Sequence, residues 1–275
     1  MSTTGNLVYS NPPADGSPAW VQPDFDPALA SEPPRNWTED IRKVEIKDAR
    51  GNEDKYTLDT AALQFYRRPA KLTRFVDDEE IKAEYYPESI ELIKELTGAR
   101  MVIPFDHTIR RRRPGMIDDG PQNRQPVPLI HVDQTTKSAI ARLRREVPSD
   151  QVEALLQRRF QIVNLWRPIS HPAEDWPLAL CDYRSLDVDE DLIVMTLKFA
   201  VRDGQNYSVK YNPNHRWVYK SAMDPEDFVL FKCFDSIQDG SVARMAPHTG
   251  FEDPNTREGA PLRESIELRS FVFYD

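Results

Sequence analysis

The stretch "PLIHVDQTT" holds the residues of this chain most suited to chemistry. His131 and Asp133 stand two positions apart, directly after an apolar run. Residues at i and i+2 of a strand point to one face, so the pair offers two neighbouring ligand atoms. A third comes from His248, one of only five histidines, in "ARMAPHTGFEDP", where a strand runs out into a Gly/Pro-rich loop. Two imidazoles and one carboxylate on one side of a metal leave open positions for further ligands, the arrangement of non-haem Fe(II) oxygenases. A His-x-Asp pair also arises by chance, and a histidine hydrogen-bonded to a carboxylate at a strand end accounts for it equally well.

The C-terminal segment adds a second function. A bidentate 2-oxo acid on such a metal has a distal carboxylate, and a fixed arginine is the best cation for it. Arg257, Arg263 and Arg269 follow His248. In "PLRESIELRSF", Arg263 and Ser265 share a face at the opening of the last strand and can grip one carboxylate together. Arg257 lies in a polar loop and reads as solvated. Arg269 reads as a wall residue or a holder of a substrate anion, and all three being outward is the plain alternative. In "NLWRP", Asn164 and Trp166 share a face. An inward amide must find partners, so Asn164 is a candidate contact to co-substrate or substrate, whereas Trp166 is read first as core. Tyr183, beside an Arg184–Asp182 or Arg184–Asp187 ion pair, and His107, at a strand end, are the remaining weak candidates for substrate contact. The run Arg110–Arg113 reads as a solvated loop, with anion steering as the lesser reading.

Several elements must position these groups. The stretch 77–100 has helical spacing at Ile81, Tyr85, Ile90, Leu92, Ile93 and Leu96, with acidic residues at its start, Pro87 separating two helical pieces and Gly98 at its end. The stretch 135–160 is helical with a break at Pro148, after which Ser149 and Asp150 can cap a second helix. Strands are expected at 99–109, 127–133, 159–168, 177–186, 193–212, 215–223, 227–236 and 264–274. A hairpin is expected over 43–60, turning at Arg50–Asn52. Residues 1–40, with seven prolines, read as an extended arm docked by Trp20, Phe25 or Trp37, and residues 41–275 as one domain. The arm can wrap its own domain or reach a neighbour in a homodimer. Helices come early and strands late, which argues for an antiparallel sandwich or barrel with flanking helices rather than a βαβ sheet.

Composition narrows the classes. A net charge of -9 argues against general nucleic-acid binding, which phosphate neutralisation drives. No apolar run reaches the roughly 18 residues of a membrane span, and the N-terminus lacks the basic and apolar regions of a secretory signal. Two distant cysteines, Cys181 and Cys233, read as buried thiols in a reducing cytoplasm. No GxSxG, P-loop or GxGxxG follows a strand.

The blocks "FDHTIRRR", "HVDQT", "NLWRPI", "DWPLALCDYRS", "HRWVYKSAMDPEDFVLFKCFDS", "PHTGFEDP" and "PLRESIELRSFVFY" resemble the fungal AsaB-type hydroxylase/desaturase family. That group contains a gibberellin desaturase and is related to a cephamycin-pathway hydroxylase. The likeness runs from about Val44 to the C-terminus. It implies a mainly β fold with a double-stranded β-helix core of the jelly-roll, cupin-like kind. It also implies Fe(II)- and 2-oxoglutarate-dependent oxidation of a small secondary metabolite by O2, as hydroxylation or desaturation, with 2-oxoglutarate decarboxylated to succinate. By motif, the metal ligands fall on His131, Asp133 and His248, and the Arg-x-Ser block on Arg263 and Ser265. Relatives that halogenate carry a small residue in place of the carboxylate, so Asp133 argues against that reaction. A cupin-like ligand-binding module and a metal-dependent hydrolase without 2-oxoglutarate are the rival readings.

Overall fold

The computed structural model describes residues 2–23, 34–116 and 124–275; Phe25 of the expected arm lies outside them. The strands are β1 (Ser2–Asn11), β2 (Ala19–Val21), β3 (Thr38–Asp48), β4 (Leu63–Arg67), β5 (Met101–Arg111), β6 (His131–Val132), β7 (Phe160–Pro168), β8 (Leu178–Cys181), β9 (Leu192–Leu197), β10 (Gly204–Val209), β11 (Trp217–Tyr219), β12 (Asp227–Asp235), β13 (His248–Gly250) and β14 (Glu264–Phe273). The α-helices are α1 (Leu58–Ala61), α2 (Asp78–Glu80), α3 (Tyr86–Thr97), α4 (Thr136–Glu146) and α5 (Ser149–Leu156). Nine strands form one sheet in the order β1-β3-β11-β8-β13-β6-β10-β9-β2, and five form a second in the order β4-β12-β7-β14-β5.

The two sheets face each other as a jelly-roll core. Alternation along each strand decides which residues enter it. From β7, Ile162 and Trp166 join the same buried cluster as Val132, Leu180 and Val218 of the large sheet. Their sequence neighbours Val163 and Leu165 turn to the other face, where Ile81, Tyr85, Leu92 and Ile93 cover the small sheet. The covering helix runs through a five-residue π-turn, Ile81–Tyr85, between α2 and α3. Pro87 falls in the first turn of α3, where its missing N–H costs nothing. Gly98 closes α3 at φ 70°, its N–H bonded to the Lys94 carbonyl, a backbone conformation that a Cβ would penalise. Pro148 separates α4 from α5, as its ring requires. Neither Ser149 nor Asp150 caps α5, because Pro148 itself occupies the N-cap position.

Two expectations need correction. The segment 43–60 is not a hairpin. β3 pairs antiparallel with β1, from Ser2 opposite Lys47 to Asn11 opposite Thr38, and parallel with β11. Residues beyond Gly51 form short helical turns instead. The first residues of the expected arm are therefore an edge strand of the nine-stranded sheet. Its buried positions are Thr3, Gly5, Leu7, Tyr9 and Ser10, and a threonine, a glycine and a serine among them leave no apolar period to detect. Cys181 and Cys233 are both buried and free. Among the described residues, no helix is long and apolar enough to cross a membrane.

Candidate active site

His131 and His248 are direct cross-strand partners, because β6 and β13 lie side by side in the large sheet. Asp133 follows β6 immediately, before the Thr135 capping box that starts α4. One ligand atom from each of the three lies within 4.8 Å of the others. His131 Nε2 is 3.4 Å, and His248 Nε2 3.8 Å, from Asp133 Oδ1. Metal–ligand bonds of about 2.1 Å put adjacent ligands of one face about 3 Å apart, so a small closure would seat an ion.

The surroundings decide which atoms are available. Nδ1 of His131 faces the Leu129 carbonyl at 2.9 Å, and Nδ1 of His248 the Ala246 carbonyl at 3.1 Å. Each ring thus donates its Nδ1–H to backbone and keeps the Nε2 lone pair for the centre, a common means of fixing the tautomer of a metal-bound imidazole. Asp133 Oδ2 accepts from Asn164 Nδ2 at 2.9 Å and from Arg269 Nε at 3.0 Å. That leaves Oδ1 as the oxygen facing the histidines. Burial alone would raise the Asp133 carboxyl, but the charge of Arg269 and a hydrogen bond with His131 hold it well below the usual range. Burial, reinforced by the charge of His131, lowers His248 to about 3, so its ring is neutral. Two imidazoles that turn Nε2 inward and one ionised carboxylate fit a divalent cation.

Beside the triad is a narrow cavity lined by His131, His248, Trp166, Arg263, Arg110 and Glu267. Arg263 is 2% exposed. Its Nη1 donates to the Trp176 carbonyl at 2.7 Å, its Nε to Ser265 Oγ at 3.3 Å, and its guanidinium carbon lies 5.3 Å from the Trp166 ring centre. Gly250 makes room for it: a Cβ there would sit 3.2 Å from Arg263 Nη1. Among the described residues, neither Arg263 nor Arg110 has a side-chain carboxylate in hydrogen-bonding contact with its guanidinium; Arg110 Nη1 donates only to the Gln125 carbonyl. Burial lowers Arg263 to about 9, and the charge of Arg110 pushes the same way. Burial raises the Glu267 carboxyl, against the pull of Arg269.

The expected site residues sort by strand parity. Asn164, Trp166, Ser265, Glu267 and Arg269 all point between the sheets. Asn164 touches Asp133, which makes it an orienting residue, and its Oδ1 is buried without a hydrogen-bond partner among the described residues. Arg269 is committed to Asp133, Asp106 and Glu267. Arg257 is exposed and paired with Glu174. His107 lies on the opposite face of the small sheet, bonded to Tyr86 at 3.0 Å and beside Asp78. Tyr183 sits in a turn after β8, flanked by the Arg184–Asp182 ion pair, and lines neither the narrow cavity nor the cleft at Asp133. The solvated-loop reading of Arg110–Arg113 fails at its first two members, which belong to β5. Sequence reasoning missed Arg110, because only the pairing of β5 with β14 sets it opposite Ser265 and so on the inward face with the Arg-x-Ser motif.

Comparison with known proteins bears on this geometry. The family model described as an oxidoreductase/YMDC permease-like domain matches residues 7–273. The chain is 34% identical over 253 residues to the hydroxylase/desaturase efuI of Hormonema carpetanum, covering 84% of this chain and 83% of that one. It is 30% identical over 244 residues to the Fe(II)/2-oxoglutarate-dependent dioxygenase nvfI of Aspergillus novofumigatus, covering 86% and 84%. A solved structure of the iron and alpha-ketoglutarate-dependent endoperoxidase NvfI superposes with a TM-score of 0.86 at 24% identity, over 100% of this chain and 98% of that one, which shows a shared fold.

Proposed function

The chain belongs to the hydroxylase/desaturase family represented by these relatives, and from that membership we propose how its site works. The protein is an Fe(II)- and 2-oxoglutarate-dependent oxygenase of a small secondary metabolite. In this reading His131, Asp133 and His248 hold the iron. Bound there, Fe(II) activates O2 and couples decarboxylation of 2-oxoglutarate to succinate with oxidation of a C–H bond. Arg263, with Ser265 and Arg110, receives the distal carboxylate of 2-oxoglutarate, while Trp166 walls the cavity. Asn164 and Arg269 hold Asp133 by one oxygen, which keeps its other oxygen for the metal and leaves coordination positions open. The buried thiols and the acidic charge suit a cytoplasmic enzyme acting on small molecules.

One observation carries the reading: a nearly fully buried guanidinium, without a carboxylate partner among the described residues, shares a cavity with both histidines. A buried unpaired charge is costly, and an anion in that cavity would offset it. A hydrolase has no use for such a cation, and an inert binding module has none for open metal positions. The test mixes the full chain with Fe(II) and 2-oxoglutarate without oxygen and looks for a visible charge-transfer band, then admits oxygen and measures succinate. A band that His131→Ala abolishes is expected. No band and no succinate from the unmodified chain would sink the reading.

A further inference from the structure

A second concavity opens at Asp133, away from the cavity that holds Arg263. It is a cleft of about 380 Å³ between α4 and the β9–β10 hairpin, within the size range of small-molecule sites. One wall is apolar, formed by Leu197 and Phe199 with Ala141 across from them. Phe199 is 40% exposed, a large share for an aromatic side chain. Gly204 lets its ring lie close, because a Cβ there would be 3.3 Å away.

Among the remaining lining residues the charged ones are mainly cationic: Lys137, Arg142, Arg145 and Arg202, against Asp133 and Asp203. Asp133 is already matched by Arg269. The chain as a whole carries -9, so four cations at one cleft run against its general charge. Arg145 is held by Glu146, but Lys137 and Arg202 are in no ion pair among the described residues. Arg142 links the cleft to the centre. It lies 3.4 Å from Glu146 and 3.8 Å from Asp106, and Asp106 pairs with Arg269, which in turn pairs with Asp133.

We infer that the cleft binds the oxidised substrate and that this substrate is an organic carboxylate with an apolar body. The acid group meets Lys137, Arg142 and Arg202 at the mouth, and the apolar body lies on Leu197 and Phe199 with its reacting carbon toward Asp133. Charge-assisted contacts to partly exposed cations give orientation and on-rate, and the apolar wall gives affinity. This rests on the proposed oxygenase function, since it takes the Asp133 end of the cleft as the reacting end.

The test uses 2-naphthoate, 4-phenylbutyrate and adamantane-1-carboxylate, each paired with its neutral primary amide. Binding is titrated on the full chain, once loaded with Fe(II) and 2-oxoglutarate without oxygen and once without them. At least one acid should bind about tenfold more tightly than its amide, the scale of one charge-assisted contact. That preference should shrink to less than about threefold in Lys137→Gln/Arg202→Gln, which alters only exposed side chains, and in Arg142→Gln, and should persist in Arg263→Met. No acid exceeding its amide overturns the inference. So does a preference lost in Arg263→Met but kept in the other variants, which would place the anion in the co-substrate cavity. A preference that persists when iron fails to bind would leave the cleft standing and sink the metal site instead.

Discussion

Replacing Arg263 by methionine separates stability from function in one variant. The guanidinium is 2% exposed and lowered from 12.5 to about 9, a difference that corresponds to roughly 5 kcal/mol. The sign follows from linkage. A cation with a depressed folded pKa binds its proton less tightly in the folded chain, so its burial cost is fully present below about pH 9. It is relieved only as pH rises toward the unfolded value. At pH 7.5 the whole cost applies. Methionine fills similar space without charge, but it forfeits the bonds to Ser265 and Trp176, worth about 1.5 kcal/mol each for a charged donor. A net gain of about 2 kcal/mol remains. For a domain of this size that is a rise of about 4–8 °C in the melting temperature of the metal-free chain. The same change should abolish the stabilisation that 2-oxoglutarate gives the iron-loaded protein and weaken co-substrate binding by about 10–150-fold, the worth of a charged hydrogen bond. Iron binding should be unaltered. Thermal unfolding with and without 2-oxoglutarate, beside an iron titration, reads all three. A metal-free melting temperature that falls by several degrees would make Arg263 a structural residue and refute the reasoning.

Arg269→Gln removes the cation beside Asp133 but keeps an amide in its place. With the strongest pull against burial gone, the Asp133 carboxyl rises, so iron affinity measured against pH should collapse at a higher pH than in the unmodified chain; superposable curves would exclude this role. Gly250→Ala sets a methyl 3.2 Å from Arg263 Nη1. It should raise the 2-oxoglutarate concentration needed for half-maximal charge-transfer absorbance by about tenfold, the effect of a displaced charged contact, while the iron titration stays unchanged.

The faces that the candidate residues share were legible from residue spacing, whereas the ligand set itself was implied by the family resemblance. His131 and Asp133 two apart, and Arg263 two before Ser265, follow from the two-residue period of a strand, which is a local property. The helices were legible for the same reason, since Pro87, Gly98 and Pro148 act on their own φ angles. What spacing could not supply was every contact between distant segments. That His248 stands opposite His131 depends on β13 pairing with β6, and that Asn164 and Arg269 both reach Asp133 depends on two sheets facing across a core. The polar loop had already marked Arg257 as solvated; of the other two C-terminal arginines, tertiary packing alone decided that Arg269 is spent on carboxylates and that Arg263 is buried with no carboxylate partner for its guanidinium among the described residues. Arg110 and the strand β1 were hidden for a related reason. A cation in a basic run and a strand of threonine and glycine look exposed until the partner that buries them is known. Local sequence sets the direction in which a side chain points; the long-range pairing of strands sets what it meets there.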